Sequence, residues 1–223
     1  MNIISHRGNL DGRTAAHENC SSYLAKAVAS GFSVEFDVNL ALGKDRLVLS
    51  HDEAAWSGER DPSGFLSSPS AGSLHALNIK DLCTVYEIAR LLEQAGTKDQ
   101  FFLFDFELLT NDLPGVRYLM RSLRDQGFRV AHRLSEREQH LDHILSDDSI
   151  DVVWLDEFEH SWIERSHVQR LADRGKRTFC VSPELHGRNQ EQEILSRWSD
   201  LIQFGVDGIC TDYPLKLRAF SRR

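Results

Sequence analysis

Apolar residues recur at helical spacing at Val85, Ile88, Ala89 and Leu92, and again at Ile194, Trp198, Leu201 and Ile202, so each segment carries one apolar stripe along a helix. The first run stops at Gly96 and the second at Gly205, where a residue without Cβ takes the left-handed conformation that closes a helix. The same punctuation places helices ahead of Gly31 (Tyr23, Leu24, Ala27, Val28), Gly127 (Val116, Leu119, Met120, Leu123) and Gly175 (Ile163, Leu171, Ala172). Within a few residues of each glycine comes a short segment of strand character: Phe32 to Val38, Phe101 to Phe106, Phe128 to His132, Thr178 to Ser182, and Val206 to Cys210. Strands also read at Asn2 to Ser5, Leu74 to Ile79 and Val152 to Leu155, which brings the count to eight. Each but the last is followed by a helical or loop segment.

Eight units over 223 residues is roughly 28 residues each, near the ~30 of a βαβ repeat. Strands alternating with helices imply parallel pairing with right-handed crossovers, and eight of them favour a closed α/β cylinder, the (β/α)8 TIM barrel, over an open doubly wound sheet. The chain is short for such a barrel, so some helices are expected to be small or missing. Asp52 to Ser73, rich in Ser, Gly and Pro, reads as a loop with one short helix near Phe65 and Leu66. No linker divides the chain, and residues 1–223 read as a single domain.

The formal net charge of −8 argues against a general nucleic-acid or anionic-membrane binder, whose surface needs clustered Lys and Arg. No apolar run approaches the ~18 residues of a membrane span, and the start Met1-Asn2-Ile3-Ile4-Ser5-His6 has no signal-peptide pattern. A cytoplasmic location is therefore expected. Cys20, Cys83, Cys180 and Cys210 form no C-x-x-C pair, so they read as reduced thiols, each most simply a small buried hydrophobe.

In a parallel barrel the carboxyl ends of the strands converge on one mouth, which gives polar residues at those ends extra weight. Here they repeat: His6-Arg7, Glu35 and Asp37, His51-Asp52 after the apolar run Leu47-Val48-Leu49, and Asn78 and Lys80. Later ends supply Asp105 and Glu107, Arg133 and Ser135, Asp156 and Glu157, Ser182 and Glu184, and Asp212. Glu35 and Asp37 are two apart in a strand and face one side, where two carboxylates repel unless protonated or bridged by a cation. Oxygen ligands suit Mg²⁺ or Ca²⁺ better than zinc. His6 and His51 are candidates for proton transfer near neutral pH, and Arg7 and Lys80 could hold a phosphate.

Taken in order, Ile4-Ser5-His6-Arg7-Gly8-Asn9, Glu18-Asn19, Val34-Glu35-Phe36-Asp37-Val38 and His51-Asp52 resemble the opening of the glycerophosphodiester phosphodiesterase family, and Gly205-Val206-Asp207-Gly208-Ile209-Cys210-Thr211-Asp212-Tyr213-Pro214 looks like its last strand. The resemblance extends to the related phosphatidylinositol phospholipase C-like barrels, and is similar in its second half to a compact bacterial branch. It implies a metal-dependent phosphodiester hydrolase acting on a small or lipid-derived phosphodiester, with a place in lipid metabolism. In that scheme His6 and His51 are the general base and general acid, Glu35 and Asp37 hold Mg²⁺ or Ca²⁺, and Arg7 joins them at the phosphate.

Two departures shape the expectations. The loop proline of the family is His17 here, and its Glu-x-Lys strand aligns best with Asn78-Ile79-Lys80. Asp105 is then expected as the charged third ligand, with Asn78 secondary. The Trp154 to Phe158 and Val181 to Arg188 segments, including Glu184, read either as capping and loop residues or as an acid-rich recognition site for a polyhydroxylated or cationic group. A noncatalytic phosphate- or polyol-binding barrel, and a metal-independent lyase that stops at a cyclic phosphate, are the alternative functions. A small-molecule substrate and no nucleic-acid partner are expected throughout.

Overall fold

The protein was analysed as a computed structural model, which describes residues 1–43, 45–69, 73–137 and 141–222. Eight parallel strands close a cylinder: β1 (Asn2–His6), β2 (Ser33–Leu40), β4 (His75–Ile79), β5 (Phe101–Phe104), β6 (Arg129–Leu134), β7 (Val152–Leu155), β8 (Arg177–Val181) and β9 (Gly208–Thr211). Closure is made by β1, which pairs with β2 on one side and β9 on the other. The expected (β/α)8 barrel is thus present, with all eight expected strands in it. The remaining strand, β3 (Leu47–Leu49), pairs antiparallel with the end of β2 and stands outside the cylinder as the return arm of a hairpin.

Every barrel strand is followed by a helix: α1 (Ser21–Ala29), α2 (Ser63–Ser67), α3 (Val85–Ala95), α4 (Leu113–Asp125), α5 (Leu141–Ser146), α6 (Arg165–Ala172), α7 (Glu191–Phe204) and α8 (Pro214–Phe220). None is missing, although α2 has only 5 residues and α5 only 6. The short helix expected near Phe65 and Leu66 is α2, and residues 70–72 of that loop lie outside the described residues. The last strand also gains a helix, contrary to expectation: α8 starts on Pro214 and anchors through buried Leu217, too short a stripe to stand out as periodicity.

The predicted stripe of α3 is buried residue for residue, at Val85, Ile88, Ala89 and Leu92. Each such side chain contributes up to about 1.5–3 kcal/mol of apolar transfer. All five glycines at the predicted helix ends have positive φ, from 68° at Gly96 to 85° at Gly205. A glycine of another kind is Gly208 in β9, where an added Cβ would lie 2.7 Å from the Phe179 ring.

Strand alternation sorts the core into two layers. Val34, Phe36, Val38, Leu77, Ile79, Phe101 and Leu103 face the helices. Ile4, Ala76, Phe102, Phe104, Ala131, Val152, Trp154, Phe179, Val181 and Cys210 fill the cylinder, with the Phe104 and Trp154 rings 4.4 Å apart. Of the four cysteines, none in a disulfide, Cys20, Cys180 and Cys210 are buried as expected, whereas Cys83 is exposed at the start of α3. Among the described residues no helix is long and apolar enough to cross a membrane.

Candidate active site

The same alternation that fills the cylinder determines what lies at its mouth. Two residues beyond an inward apolar position comes an inward polar one: Ile4 leads to His6, Ala76 to Asn78, Ala131 to Arg133, Trp154 to Asp156 and Cys210 to Asp212. On β2 the inward side is polar throughout, with Glu35 and Asp37 at 3% and 0% exposure. Apart from Asp37, these side chains, with Arg7, Lys80, His51, Asp52, Asp105, Glu184 and His186, line one cavity of about 550 Å³, a normal size for a small-molecule site. All nine expected site residues but one line it; Asp37 lies at its wall, bonded to Arg7 and Lys80, which do.

Neighbours of these positions point the other way. Glu157, expected at the rim, is turned outward and clamped by Arg197 of α7 at 2.5 and 2.8 Å. Glu107 is also turned away, pairing with His132 at 3.2 Å. Glu157 directly follows the inward Asp156, and adjacent strand residues face opposite sides, so that doublet sends one member inward; Glu107 lies in the 3-10 turn Phe106–Leu108 beyond the end of β5.

On the side of β1, β2 and β4, Arg7 is tied to Asp37 by Nε at 2.9 Å, and Lys80 Nζ lies 3.4 Å from the other Asp37 oxygen. Asn19 grips Asp37 twice: its amide donates to Oδ2 at 2.8 Å and its carbonyl accepts the Asp37 backbone N–H at 3.1 Å. Arg7 and Asn19 both have positive φ, 52° and 55°, a conformation that costs of order 1 kcal/mol in a residue with Cβ. Their backbones lock together, Arg7 N–H donating to Glu35 O at 2.8 Å and Asn19 N–H to Arg7 O at 3.2 Å. His6 donates Nδ1–H to Asp212 at 2.7 Å, which leaves Nε2 toward the cavity, 3.8 Å from Glu35. Asn9 braces that aspartate at 2.8 Å and Glu18 at 3.0 Å.

Burial and the neighbouring Asp37 charge push the Glu35 carboxyl up to about 7. Burial acts the same way on Asp37, but Arg7, Lys80 and the Asn19 hydrogen bond outweigh it and hold that carboxyl below its ordinary range. Burial lowers the His6 imidazole, while the Asp212 hydrogen bond and the charges of Glu35 and Asp212 prevail and raise it. Three oxygens here are buried without a hydrogen-bond partner: Glu35 Oε2, Asp37 Oδ1 and Asn78 Oδ1. Asp37 and Asn78 sit opposite each other in the β2–β4 register. Two carboxylates and an amide oxygen suit a hard divalent ion completed by water or phosphate oxygens. Among the described residues no group of three or more His, Cys, Asp or Glu is arranged to hold a metal.

The side formed by β5 to β8 is differently made. Arg133 bridges Asp105 through one terminal nitrogen and Asp156 through the other, and Asp156 also takes a proton-bearing nitrogen of His186. Asp105 has φ 73°, which breaks the strand alternation after Phe104 and turns its carboxylate to Arg133. Glu184 accepts from Ser182, from Thr211 Oγ1 at 2.5 Å and from Asp212 N–H at 3.1 Å, so it braces the end of β9. His51 is carried on the arm: its side chain is 46% exposed and its Nδ1 is 2.8 Å from Asp52.

Several residues of the site carried no assigned role in the sequence: Asn19, Asp212, Arg133, Asp156 and His186. Asn19 had the quoted Glu-Asn motif as its only signal; Arg133, Asp156 and Asp212 were marked as polar strand ends, and His186 lay in the Val181 to Arg188 segment, without individual roles. The His6–Asp212 pair spans 206 positions of chain, and nothing local announces it.

The sequence matches no protein-family model and no curated protein. Solved structures match over the whole chain. A protein of Galdieria sulphuraria assigned to the glycerophosphodiester phosphodiesterases superposes with a TM-score of 0.75 at 14% identity, covering 100% of this chain and 98% of that one. A glycerophosphoryl diester phosphodiesterase of Parabacteroides distasonis gives 0.70 at 15%, covering 99% and 86%. An Oleispira antarctica phosphodiesterase, solved with its product sn-glycerol-3-phosphate, gives 0.65 at 17%, covering 100% and 97%. From end to end, then, this chain folds as a (β/α)8 barrel of the kind found in the glycerophosphodiester phosphodiesterases.

Proposed function

We propose that the protein is a phosphodiester hydrolase dependent on a divalent metal ion. The observation that carries this reading is the set of three buried oxygens without a hydrogen-bond partner on Glu35, Asp37 and Asn78, beside two cations and an imidazole. Leaving such groups unsatisfied costs about 1–3 kcal/mol each, more for a charge, and a ligand removes that cost. Structural likeness to phosphodiesterases supports the same reading.

Glu35, Asp37 and Asn78 would hold Mg²⁺ or Ca²⁺. Asn78 is placed ahead of Asp105 because the Asp105 carboxylate is committed to Arg133. The ion, when bound, supplies positive charge to a non-bridging phosphate oxygen. Arg7 and Lys80 add charge on the same side and orient the diester. His6 Nε2, with Nδ1 fixed by Asp212, takes the proton of an attacking substrate hydroxyl, and His51 gives a proton to the departing alcohol oxygen. A cyclic phosphate and a free alcohol result, and water then opens the ring with the two imidazoles in exchanged roles.

Purified protein with Mg²⁺, Ca²⁺ or Mn²⁺ is expected to cleave glycerophosphodiesters or bis(p-nitrophenyl) phosphate, and His6→Ala and His51→Ala each to lower turnover by about 10²–10⁴-fold. Ligand binding without product would make it a binding barrel. Cleavage that persists in a chelator and stops at the cyclic ester would make it a lyase.

A further inference from the structure

The two imidazoles of the site are held in different ways. The His6 side chain is 17% exposed and is oriented by the buried Asp212. The His51 side chain is 46% exposed, and the Asp52 carboxylate at its Nδ1 is itself 90% exposed. Side-chain packing therefore does not determine where His51 stands, which leaves its backbone to do so. Only three residue pairs join the return arm to β2: Val38 with Leu49, Asn39 with Val48 and Leu40 with Leu47. Beside the arm lies open space, a cavity of about 420 Å³ lined by Leu40, Leu47 and Trp56 and, from the α3 region, by Thr84, Glu87 and Leu91.

One peptide unit of the arm is nonetheless gripped at both ends. The Ser50 N–H donates to Asp37 O at 3.1 Å, and the carbonyl of the same peptide, Leu49 O, accepts from Arg60 Nη1 at 3.0 Å. Leu49 sits opposite Val38 on an edge strand of the sheet. It falls between the ladder bonds, where an antiparallel strand turns its carbonyl away from its neighbour. A backbone acceptor at such an open edge needs a donor from elsewhere, and the guanidinium supplies it. Arg60 is itself anchored. Its N–H donates to Ser57 O at 3.0 Å within the 3-10 turn Gly58–Arg60. The next residue, Asp61, accepts from Ser21 Oγ of α1 at 2.7 Å and from the Ser63 N–H of α2 at 2.9 Å. His51 directly follows the pinned peptide.

We infer that Arg60 is a positioning residue: by holding the Leu49 carbonyl it fixes the backbone that presents His51 to the departing alcohol oxygen. This rests on His51 as the proton donor of the hydrolase reading. A reacting group misplaced by about 1 Å loses on the order of 10²-fold in rate, and here the loss falls only on leaving groups that need the proton. The test compares two diesters of glycerol phosphate with the same attacking hydroxyl. The methyl ester expels an alkoxide that must be protonated, whereas the p-nitrophenyl ester expels a phenolate that leaves unaided. Arg60→Met keeps the stem and removes the donor. It lowers kcat for methanol release by about 10- to 100-fold, with KM little changed and p-nitrophenol release close to that of the wild type. Arg60→Lys restores a donor and recovers most of the loss. Independently of turnover, the ring signals of His51 in a carbon-edited NMR spectrum, identified by their loss in His51→Gln, shift or broaden in Arg60→Met, while those of His6 stay in place.

Equal slowing of the two esters overturns the proposal. So does an unmoved His51 signal, an Arg60→Lys variant no better than Arg60→Met, or loss of the folded state in Arg60→Met, which would make the contact a general prop. Absence of diester cleavage with the His51 signal displaced in Arg60→Met removes the hydrolase reading and leaves the anchoring by Arg60 standing. Cleavage with that signal unmoved does the reverse.

Discussion

The two sides of the barrel mouth handle buried charge in opposite ways. Around β5 to β8, one guanidinium serves two carboxylates, and one of those also serves an imidazole, so each carboxylate of the group has a partner within it. Around β1, β2 and β4, two carboxylates lie two residues apart with Asn78 opposite Asp37, and although Arg7 and Lys80 pair with Asp37, one oxygen on each of Glu35, Asp37 and Asn78 has no hydrogen-bond partner. A self-contained ionic group mainly holds structure, because removing one member strands the rest. An incomplete one is a standing demand for an outside partner. The contrast teaches that carboxylate and amide oxygens left without a hydrogen-bond partner at the mouth, more than the number of charges there, mark where a cation is wanted.

Substitutions can break this comparison. His6→Ala should lower turnover about 10²–10⁴-fold with little change in the urea midpoint, since the proton-transfer group belongs to the incomplete side. Arg133→Met should do the opposite: by stranding Asp105 and Asp156 it should cost about 3–5 kcal/mol of stability, read from urea unfolding. If Arg133→Met were stable and His6→Ala unfolded, the assignment of the two sides would be reversed.

Acid provides a test at the foot of the cylinder. His75, fully buried on β4 under the Phe65 and Phe101 rings, accepts the Val34 N–H at 3.1 Å, and burial pushes its imidazole down to about 4. The unfolded chain binds this proton near 6.5 and the folded chain near 4, so stability is full above the first value and is lost as pH falls toward the second. At about 1.4 kcal/mol per pH unit the loss is about 3 kcal/mol. His75→Asn, which keeps an acceptor near Val34, should flatten that limb in pH-dependent urea melts. Smallest is the effect of the ion. Mg²⁺ at a hundred times its dissociation constant should stabilise the wild type by about 2.7 kcal/mol. Glu35→Gln should abolish that gain in thermal melts while matching or exceeding the wild type in a chelator, because it relieves the repulsion with Asp37.

The barrel was legible because a strand buried on both faces is a short apolar run, and here most runs follow a helix-ending glycine. Direction was not legible: Leu47 to Leu49 reads as a strand, but nothing in three apolar residues says it runs antiparallel. Site residues were legible where strand ends repeat polar doublets. Which member of a doublet faces inward was not, as Glu157 illustrates, and neither was the 3-10 turn that carries Glu107 away. Asp105 eluded the pattern through its positive φ, which resets the alternation that would otherwise predict its direction. The partnerships of His6 with Asp212 and of His186 with Asp156 depend on which strands become neighbours on closure, and that is a property of the whole cylinder.

The return arm has a consequence for engineering. β2 is stitched into the cylinder by its rungs to β1 and β4, and only Val38, Asn39 and Leu40 are shared with β3. A cassette exchanged between Leu40 and Asp52 would therefore leave the scaffold's seams uncut, provided it returned two greasy anchors where Leu47 and Leu49 now dock. The exposed imidazole and the frame beneath it are encoded in separable pieces, so one can be redrawn by grafting without renegotiating the other.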